Sequence, residues 1–425
     1  MIINNKSKIL LLIIGYISLI IGFFFNENSS GGALPDYIHH FKVVLSFNEN
    51  FLSSLYNYDQ YNTDHSPLFI STLLIFYKIL GSEILLRFFY LHLALLIPFI
   101  FFLCLKEIYK EISENLLFLF SCVVFLSPYI RSLSIWPGSE IISLIFLLLG
   151  ILFFLKFKQQ TNLSLNYSIL NILMVAIAAY YKPIYSIFSI FFIIEFYRYF
   201  KLSFSFITII LLNIILSIPA FYYIFYVNNF LFKFLSENKE LYSLNLSNTI
   251  LIVSSILFFH LLFLILFFFR NNFSTLITRI RIVDYILILL FLIINIYFFN
   301  FNVYQEGVGG GVFLKLSNYF FNNNYFFYII CFFALIFIYQ IILLDKIRHS
   351  ILILVLLMQN PHNYFYHEYF EPLFLVMLFT LFNTDLLKNF FIKISNIVVI
   401  YCFYIIFFML QFSKNLFSFT NNILY

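Results

Sequence analysis

Three residues that could support acid–base chemistry lie close together near the start of the chain. Asp36, His39 and His40 are spaced so that their side chains share one side of a helix. Pro35 suits the first turn of such a helix, and a carboxylate is favoured near its positive N-terminus. A carboxylate with imidazole neighbours could act as a general base, or the same residues could simply face water on an interfacial helix.

A second polar group follows in the segment Asp64-His65-Ser66-Pro67. Pro67 suits the first position of a helix, which places Asp64 and His65 where backbone N–H groups favour an anion. The segment predicts either a docking point for a lipid phosphate or an ordinary helix cap. If this loop binds a divalent cation, the candidate ligands are Asp36, His40 and Asp64.

The elements that position these residues are strongly apolar. Of the 425 residues, 63% are hydrophobic and only 10% are charged, and the mean hydropathy is +0.98. Apolar stretches recur along the whole length, which predicts an all-α polytopic membrane protein with about 13 transmembrane helices. The predicted spans are Ile9–Phe25, Leu86–Leu105, Asn115–Leu126, Ile141–Leu155, Tyr167–Tyr180, Ile184–Phe196, Phe204–Val227, Thr249–Phe269, Tyr285–Phe301, Tyr325–Leu344, Ser350–Met358, Leu373–Phe382 and Ile394–Phe412.

Clusters of Lys and Arg between the apolar stretches set the predicted orientation. Every loop assigned to the cytoplasm has at least two basic residues, as the positive-inside rule expects. The single membrane domain 1–425 then has a first external loop at 26–85, with short interfacial helices, and external loops at 302–324 and 359–371. Leu68–Leu80 is short for a span, so we predict an interfacial helix there.

The charged and sulfur-containing residues exclude some function classes. The net charge of +5 is spread over short clusters between spans, which is typical of topology signals rather than of a nucleic-acid partner. All four cysteines lie in apolar stretches, so we expect neither a disulfide framework nor a metal–thiolate site.

Several short motifs follow one another in an order that covers most of the chain. They are Asp36, then His65–Phe69, Gly81-Ser82-Glu83 with Arg87, Ser127-Pro128 with Arg131, Tyr181-Lys182-Pro183, Ser217-Ile218-Pro219, and Tyr369–Leu373. This order resembles the membrane GT-C glycosyltransferases of the protein O-mannosyltransferase and lipid A aminoarabinose transferase type.

The resemblance implies an inverting transferase. It would move a sugar from a polyprenyl-phosphate-linked donor to a lipid, glycan or protein acceptor, on the periplasmic face of a bacterial inner membrane. By the same resemblance, Asp36 is the general base that deprotonates the acceptor, and positive charge meets the leaving phosphate. The candidate substrate-binding residues are His39, His40, Asp64, His65, Arg87, Arg131, Lys182, His367 and Glu368.

Two other functions stay open. An O-antigen polymerase or ligase-like enzyme has a similar number of spans, but its large loop and paired arginines come late in the chain. The large polar loop of this chain comes early. A lipid-linked sugar flippase or transporter predicts charges deep within the spans and an internal repeat. The acidic residues of this chain instead gather at the predicted outer surface.

Overall fold

The computed structural model is all-α over the residues that it describes. These are residues 5–63, 65–159, 165–228, 245–271, 280–302, 309–359, 364–382, 385–391 and 393–423. The chain divides into two compact units, and the first combines Met1–Glu237 with Asp385–Tyr425. The second unit is Asn238–Thr384.

Twenty α-helices lie in the described ranges. In chain order they are α1 (Asn5–Phe24), α2 (Ala33–Glu49), α3 (Phe51–Tyr56), α4 (Pro67–Leu80), α5 (Glu83–Leu93), α6 (Leu96–Ile108), α7 (Glu114–Ser121), α8 (Pro128–Ile135), α9 (Ser139–Gln159), α10 (Leu165–Tyr181), α11 (Phe188–Phe200), α12 (Phe204–Tyr222), α13 (Leu246–Asn271), α14 (Ile282–Tyr297), α15 (Val312–Phe321), α16 (Tyr325–Leu344), α17 (Lys346–Met358), α18 (Leu373–Thr380), α19 (Asp385–Phe390) and α20 (Ile394–Ile423). Short 3₁₀ turns occupy Tyr58–Tyr61, Cys122–Leu126, Pro183–Ile187 and His367–Tyr369, and a π turn extends α12 over Tyr223–Val227.

Six helical segments of the described chain are long and apolar enough to cross a membrane, which indicates a membrane protein. They are Glu83–Ile108, Ser139–Gln159, Phe204–Val227, Leu246–Ile265, Tyr325–Leu344 and Ile394–Ser413. A seventh is possible if Glu114–Leu126 and Pro128–Ile135, bent by 66° at Ser127, form one broken span. Each of the 13 predicted spans overlaps a helix, but the predicted number of crossings is not confirmed because several of these helices are shorter than a span.

Local sequence explains where the helices of the first external loop begin and end. The Ser66 side chain accepts a hydrogen bond from the Leu68 N–H, and Pro67 occupies the first helical position of α4. The helix ends at Gly81, whose φ of +76° is a left-handed conformation that glycine adopts without strain. The helix predicted at Leu68–Leu80 is therefore confirmed, although its position in a membrane is not tested.

The first unit holds the loop helices against its longer helices. Helix α2 packs on α4, α5 packs on α8, and α9 packs along α6 and α10. A buried apolar cluster joins Leu19 and Phe23 of α1 to Tyr37 of α2, Leu91 of α5 and Trp136. This packing fixes α2, and with it Asp36, relative to the span helices of the same unit.

The second unit is organised around α13, which packs on α14, α15 and α16. The three residues before α15 are glycines with positive φ, Gly309, Gly310 and Gly311. The Gly310 N–H donates to the Phe365 carbonyl at 2.9 Å, and a Cβ at Gly309 would collide with that carbonyl. Glycine is therefore required where these two segments meet.

Candidate functional site

Helix α2 exposes two of its three chemical candidates and buries the third. Asp36 lies in the first turn, where the N–H groups of the helix end favour a negative charge. Asp36 and His39 are exposed, whereas His40 is only 2% exposed. Successive positions on a helix differ by about 100°, so His39 and His40 cannot both face α4. The carboxylate is accessible to a substrate, and His40 connects α2 to the interior.

The buried His40 contacts His65, which immediately precedes the Ser66 cap of α4. The two imidazole rings meet edge to face, with their centroids 4.1 Å apart. The ring of Phe69 in α4 contacts both imidazoles, with its centroid 5.5 Å from that of His40 and 6.0 Å from that of His65. Two of the predicted site residues, 25 positions apart in the sequence, are thus brought together.

His65 in turn reaches the start of α9. Its Nδ1 lies 3.1 Å from the Oγ of Ser139, the first residue of that helix. The next residue, Glu140, accepts a hydrogen bond of 2.7 Å from the Nζ of Lys182. The side chains of Lys182 and Glu140 are 14% and 21% exposed, so this ion pair is accessible from solvent. We call His40, His65, Ser139, Glu140 and Lys182 the loop-one cluster.

The electrostatics of the cluster keep His40 neutral. Burial is the main reason that the pKa of His40 lies well below its usual value, and the neighbouring His65 and His39 lower it further. Among the described residues, His40 Nδ1 has no hydrogen-bond partner. The positive charge of the cluster therefore comes from Lys182, which is paired with Glu140.

Glu140 was not among the residues selected from sequence. The available signal was its position, because Glu140 and Lys182 both lie at predicted outer ends of neighbouring spans. The structure pairs them across 42 positions. A second ion pair of the same unit joins Glu195 to Arg198 at 2.8 Å within the last turns of α11.

Arg87 is engaged by protein groups beside the first loop. Its guanidinium stacks on Trp136, with Cζ 3.5 Å from the ring centroid. Its Nε donates to the Ile135 carbonyl at 3.1 Å, and its Nη2 donates to the Asn26 side chain at 3.0 Å. These contacts tie α5 to the ends of α1 and α8. A contact between Arg87 and substrate stays a prediction.

Arg131 lies in a closed, buried ion pair with Glu27. Its Nε and Nη2 donate to the two carboxylate oxygens at 2.8 and 2.5 Å. The remaining nitrogen, Nη1, donates to the Ser18 hydroxyl and the Phe125 carbonyl. A Cβ at Gly22 would collide with Glu27, so glycine at this position lets the carboxylate lie against α1. All three guanidinium nitrogens are used within the fold, and we build the proposed site without Arg131.

The two predicted residues near the end of the chain belong to the second unit. The Val312 N–H donates to His367 Nε2 at 3.2 Å, so the neutral imidazole carries its proton on Nδ1. That Nδ1 then donates to His260 Nε2, also at 3.2 Å. Glu368 follows in the same 3₁₀ turn and is half-buried. His367 therefore links α13, α15 and the turn before α18.

The candidate cation ligands are not brought together by the described residues. Asp36 is exposed, His40 is buried against His65, and Asp64 lies outside the described residues. Within the described ranges, no three His, Cys, Asp or Glu side chains are close enough to hold a metal ion. No metal ion takes part in the proposed reaction.

Comparison with known proteins gives no match: no family model, no curated protein and no solved structure is significantly similar to this chain. Fold and site define the class only as an all-α membrane protein with a polar cluster between its first loop and neighbouring helix ends. Any assignment of activity therefore depends on the motif order and on the geometry of the loop-one cluster.

Proposed function

We propose that this protein is an inverting glycosyltransferase that uses a polyprenyl-phosphate-linked sugar at the outer face of a membrane. The observation that carries the proposal is the loop-one cluster itself. His40 follows the exposed Asp36 by one helical turn of α2 and contacts His65, and His65 contacts Ser139, the residue before the Glu140 partner of Lys182. A carboxylate and a cationic group on neighbouring elements are what this reaction requires.

Lys182 and His65 provide the donor side of the proposed site. Breaking the bond between the anomeric carbon and the phosphate leaves an additional negative charge on the lipid phosphate. A nearby ammonium lowers the free energy of that charge most where water is partly excluded, as it is around Lys182. The first turn of α9, which begins at Ser139 between these two residues, adds the partial positive charge of a helix N-terminus.

Helix α4 offers a path for the polyprenyl chain next to this phosphate position. Leu68, Ile75 and Ile79 are exposed, and their spacing places them along one side of the helix. A hydrogen bond of 3.0 Å between Thr72 and Tyr181 holds α4 against α10, whose end leads directly to Lys182. A lipid lying along the exposed side of α4 would bring its phosphate to the helix start beside His65.

Asp36 provides the acceptor side. Its carboxylate removes the proton from the acceptor oxygen or nitrogen, which then attacks the anomeric carbon from the side opposite the phosphate. The bond from acceptor to anomeric carbon forms as the bond from carbon to phosphate oxygen breaks. The proton stays on Asp36 and the electron pair leaves with the phosphate, so the anomeric configuration is inverted.

Replacing the base tests the proposal. We expect Asp36→Asn to lower transfer by about 10²–10⁴-fold, because the amide cannot accept the proton. Mass spectrometry of lipid-linked sugars would show a polyprenyl-phosphate sugar accumulating in cells with the variant. Because Asp36 is exposed, the variant should insert and fold like the unmodified protein.

Glu49→Gln is the matched control. Glu49 is an exposed carboxylate at the other end of α2, about 20 Å from Asp36 along the helix axis. We expect this variant to keep normal turnover and normal levels of lipid-linked sugar. Near-normal turnover in Asp36→Asn would contradict the proposed role of Asp36.

A further inference from the structure

We propose that Glu140 sets the number of phosphates that the donor site accepts. Its carboxylate, paired with Lys182, makes the site favour a lipid monophosphate and disfavour a lipid diphosphate. This inference rests on the proposed function, in which the loop-one cluster binds the phosphate of a lipid-linked sugar.

Lys182 and Glu140 have opposite charges that balance each other. The ammonium that would hold the phosphate already lies 2.7 Å from a carboxylate oxygen of Glu140. The ion pair therefore has no net charge, although the ammonium has three hydrogens and can hold Glu140 and a phosphate oxygen together. An anion that binds Lys182 must come close to the Glu140 carboxylate.

Glu140 also lies near His65, on the side of Ser139. Ser139, the preceding residue, contacts His65 Nδ1 at 3.1 Å, and the charges of His65 and Glu140 are close enough to interact. Glu140 therefore lies next to both groups that would hold phosphate oxygens. A second phosphate extending from either group would lie near this carboxylate.

The two possible donors differ in their negative charge. A phosphodiester between lipid and sugar has one negative charge, whereas a diphosphate linkage has two. In a partly buried site, like charges a few ångströms apart repel much more strongly than they do in water. The single charge can contact the Lys182 ammonium beside the His65 ring, whereas the second charge meets the carboxylate of Glu140. Discrimination thus comes from a repulsive element as well as an attractive one.

The test measures the affinity of the purified full-length protein for methyl farnesyl phosphate, a diester with one negative charge, and for P¹-farnesyl P²-methyl diphosphate, which has two. We expect the unmodified protein to bind the monophosphate at least about tenfold more tightly, and Glu140→Gln to narrow this ratio at least about fivefold. The narrowing should come from tighter diphosphate binding. Glu140→Asp keeps the charge and should keep the preference for the monophosphate.

Glu195→Gln is the matched control, because Glu195 is another glutamate of the first unit that is paired with a basic residue. It lies about two turns into α11, beyond the turn that contains Lys182, and its partner is Arg198. We expect the monophosphate preference to be unchanged in this variant.

The outcomes separate the inference from the function on which it rests. If the unmodified protein binds both probes equally or prefers the diphosphate, or if Glu140→Gln changes both affinities by the same factor, the inference is wrong and the proposed function stands. Loss of the preference in Glu140→Asp would also overturn the inference. If neither probe binds, the proposed function fails together with the inference.

Discussion

Two glutamates of the first unit are each paired with a basic residue, and the two pairs differ in how completely they are enclosed. Glu27 and Arg131 make a two-point contact and are both almost fully buried. Glu140 and Lys182 are joined by a hydrogen bond of 2.7 Å and are both partly exposed. The first pair is saturated by protein groups and closed to solvent, whereas solvent reaches the ammonium of Lys182.

The difference follows from what each pair connects. Glu27 and Arg131 join the end of α1 to α8, and the neighbouring Ser29 hydroxyl and Trp136 indole donate to Glu27. Burying two charges requires such a complete set of partners, because each charge loses its hydration. Glu140 and Lys182 lie at helix ends beside the first loop, where solvent still reaches them. The fully enclosed pair of Glu27 and Arg131, the closed pair, is suited to stabilising the fold. The solvent-accessible pair of Glu140 and Lys182, the open pair, is suited to binding a ligand.

The largest predicted effect is a loss of stability when the buried ion pair of Glu27 and Arg131 loses its cation. Arg131→Met should lower the free energy of unfolding by about 3–5 kcal/mol, because it leaves the Glu27 carboxylate buried without its cation. Thermal unfolding of the purified protein in detergent would measure the change.

The double variant Glu27→Gln with Arg131→Met is the control for this prediction. It removes both charges, so it should be more stable than Arg131→Met alone. A double variant that is as unstable as the single one would mean that the loss comes from packing of the arginine side chain rather than from the unpaired carboxylate.

The second effect is weaker phosphate binding when Lys182, the cation of the open pair, is replaced. Lys182→Met should weaken methyl farnesyl phosphate binding about tenfold, because the phosphate loses its ammonium partner. Partial exposure lets water solvate Glu140 after the change, so the free energy of unfolding should fall by only about 1 kcal/mol or less.

Lys158→Met is the matched control for the binding measurement. Lys158 lies in the last turn of α9, about 27 Å along the axis from Glu140 in the first turn. We expect its variant to bind the probe normally. If Lys182→Met instead left binding intact and destabilised the protein as much as Arg131→Met, the two pairs would have the same structural role.

Local features of the fold could be predicted from the sequence. The predicted spans Phe204–Val227 and Tyr325–Leu344 coincide with helical segments of the same bounds, because apolar composition and helix-ending residues act over short distances. Ser66-Pro67 begins α4 as expected. The number of crossings could not be predicted in the same way, because the 66° bend at Ser127 depends on how the broken helix packs.

The partners of the polar residues could not be predicted from the sequence. Glu27 and Arg131 are 104 positions apart, so nothing in the local pattern indicates their contact. The same holds for Ser139 and His65, which are 74 positions apart. The family resemblance implied both Arg131 and Lys182 as candidate substrate-binding residues. Only the packing of the helices distinguishes the saturated cation from the accessible one.

The smallest predicted effect is the pH dependence of stability that arises from His40 of the loop-one cluster. The pKa of His40 in the folded protein lies well below its usual value of about 6.5, mainly because the ring is buried. Below about pH 6.5 the unfolded chain takes up a proton at this position and the folded protein does not. Stability should therefore fall as the pH is lowered, by about 1 kcal/mol between about pH 7 and 5.5.

Comparing two neighbouring histidines isolates this contribution. His40→Phe keeps an aromatic ring against Phe69 and cannot titrate, so thermal unfolding of this variant should depend less on pH over the same range. His39→Gln changes an exposed residue one position earlier and should leave the pH dependence close to that of the unmodified protein. The closed pair is bordered instead by Ser18, Ser29 and Trp136, which do not titrate in this range. An unchanged pH dependence in His40→Phe would place the acid sensitivity outside the loop-one cluster.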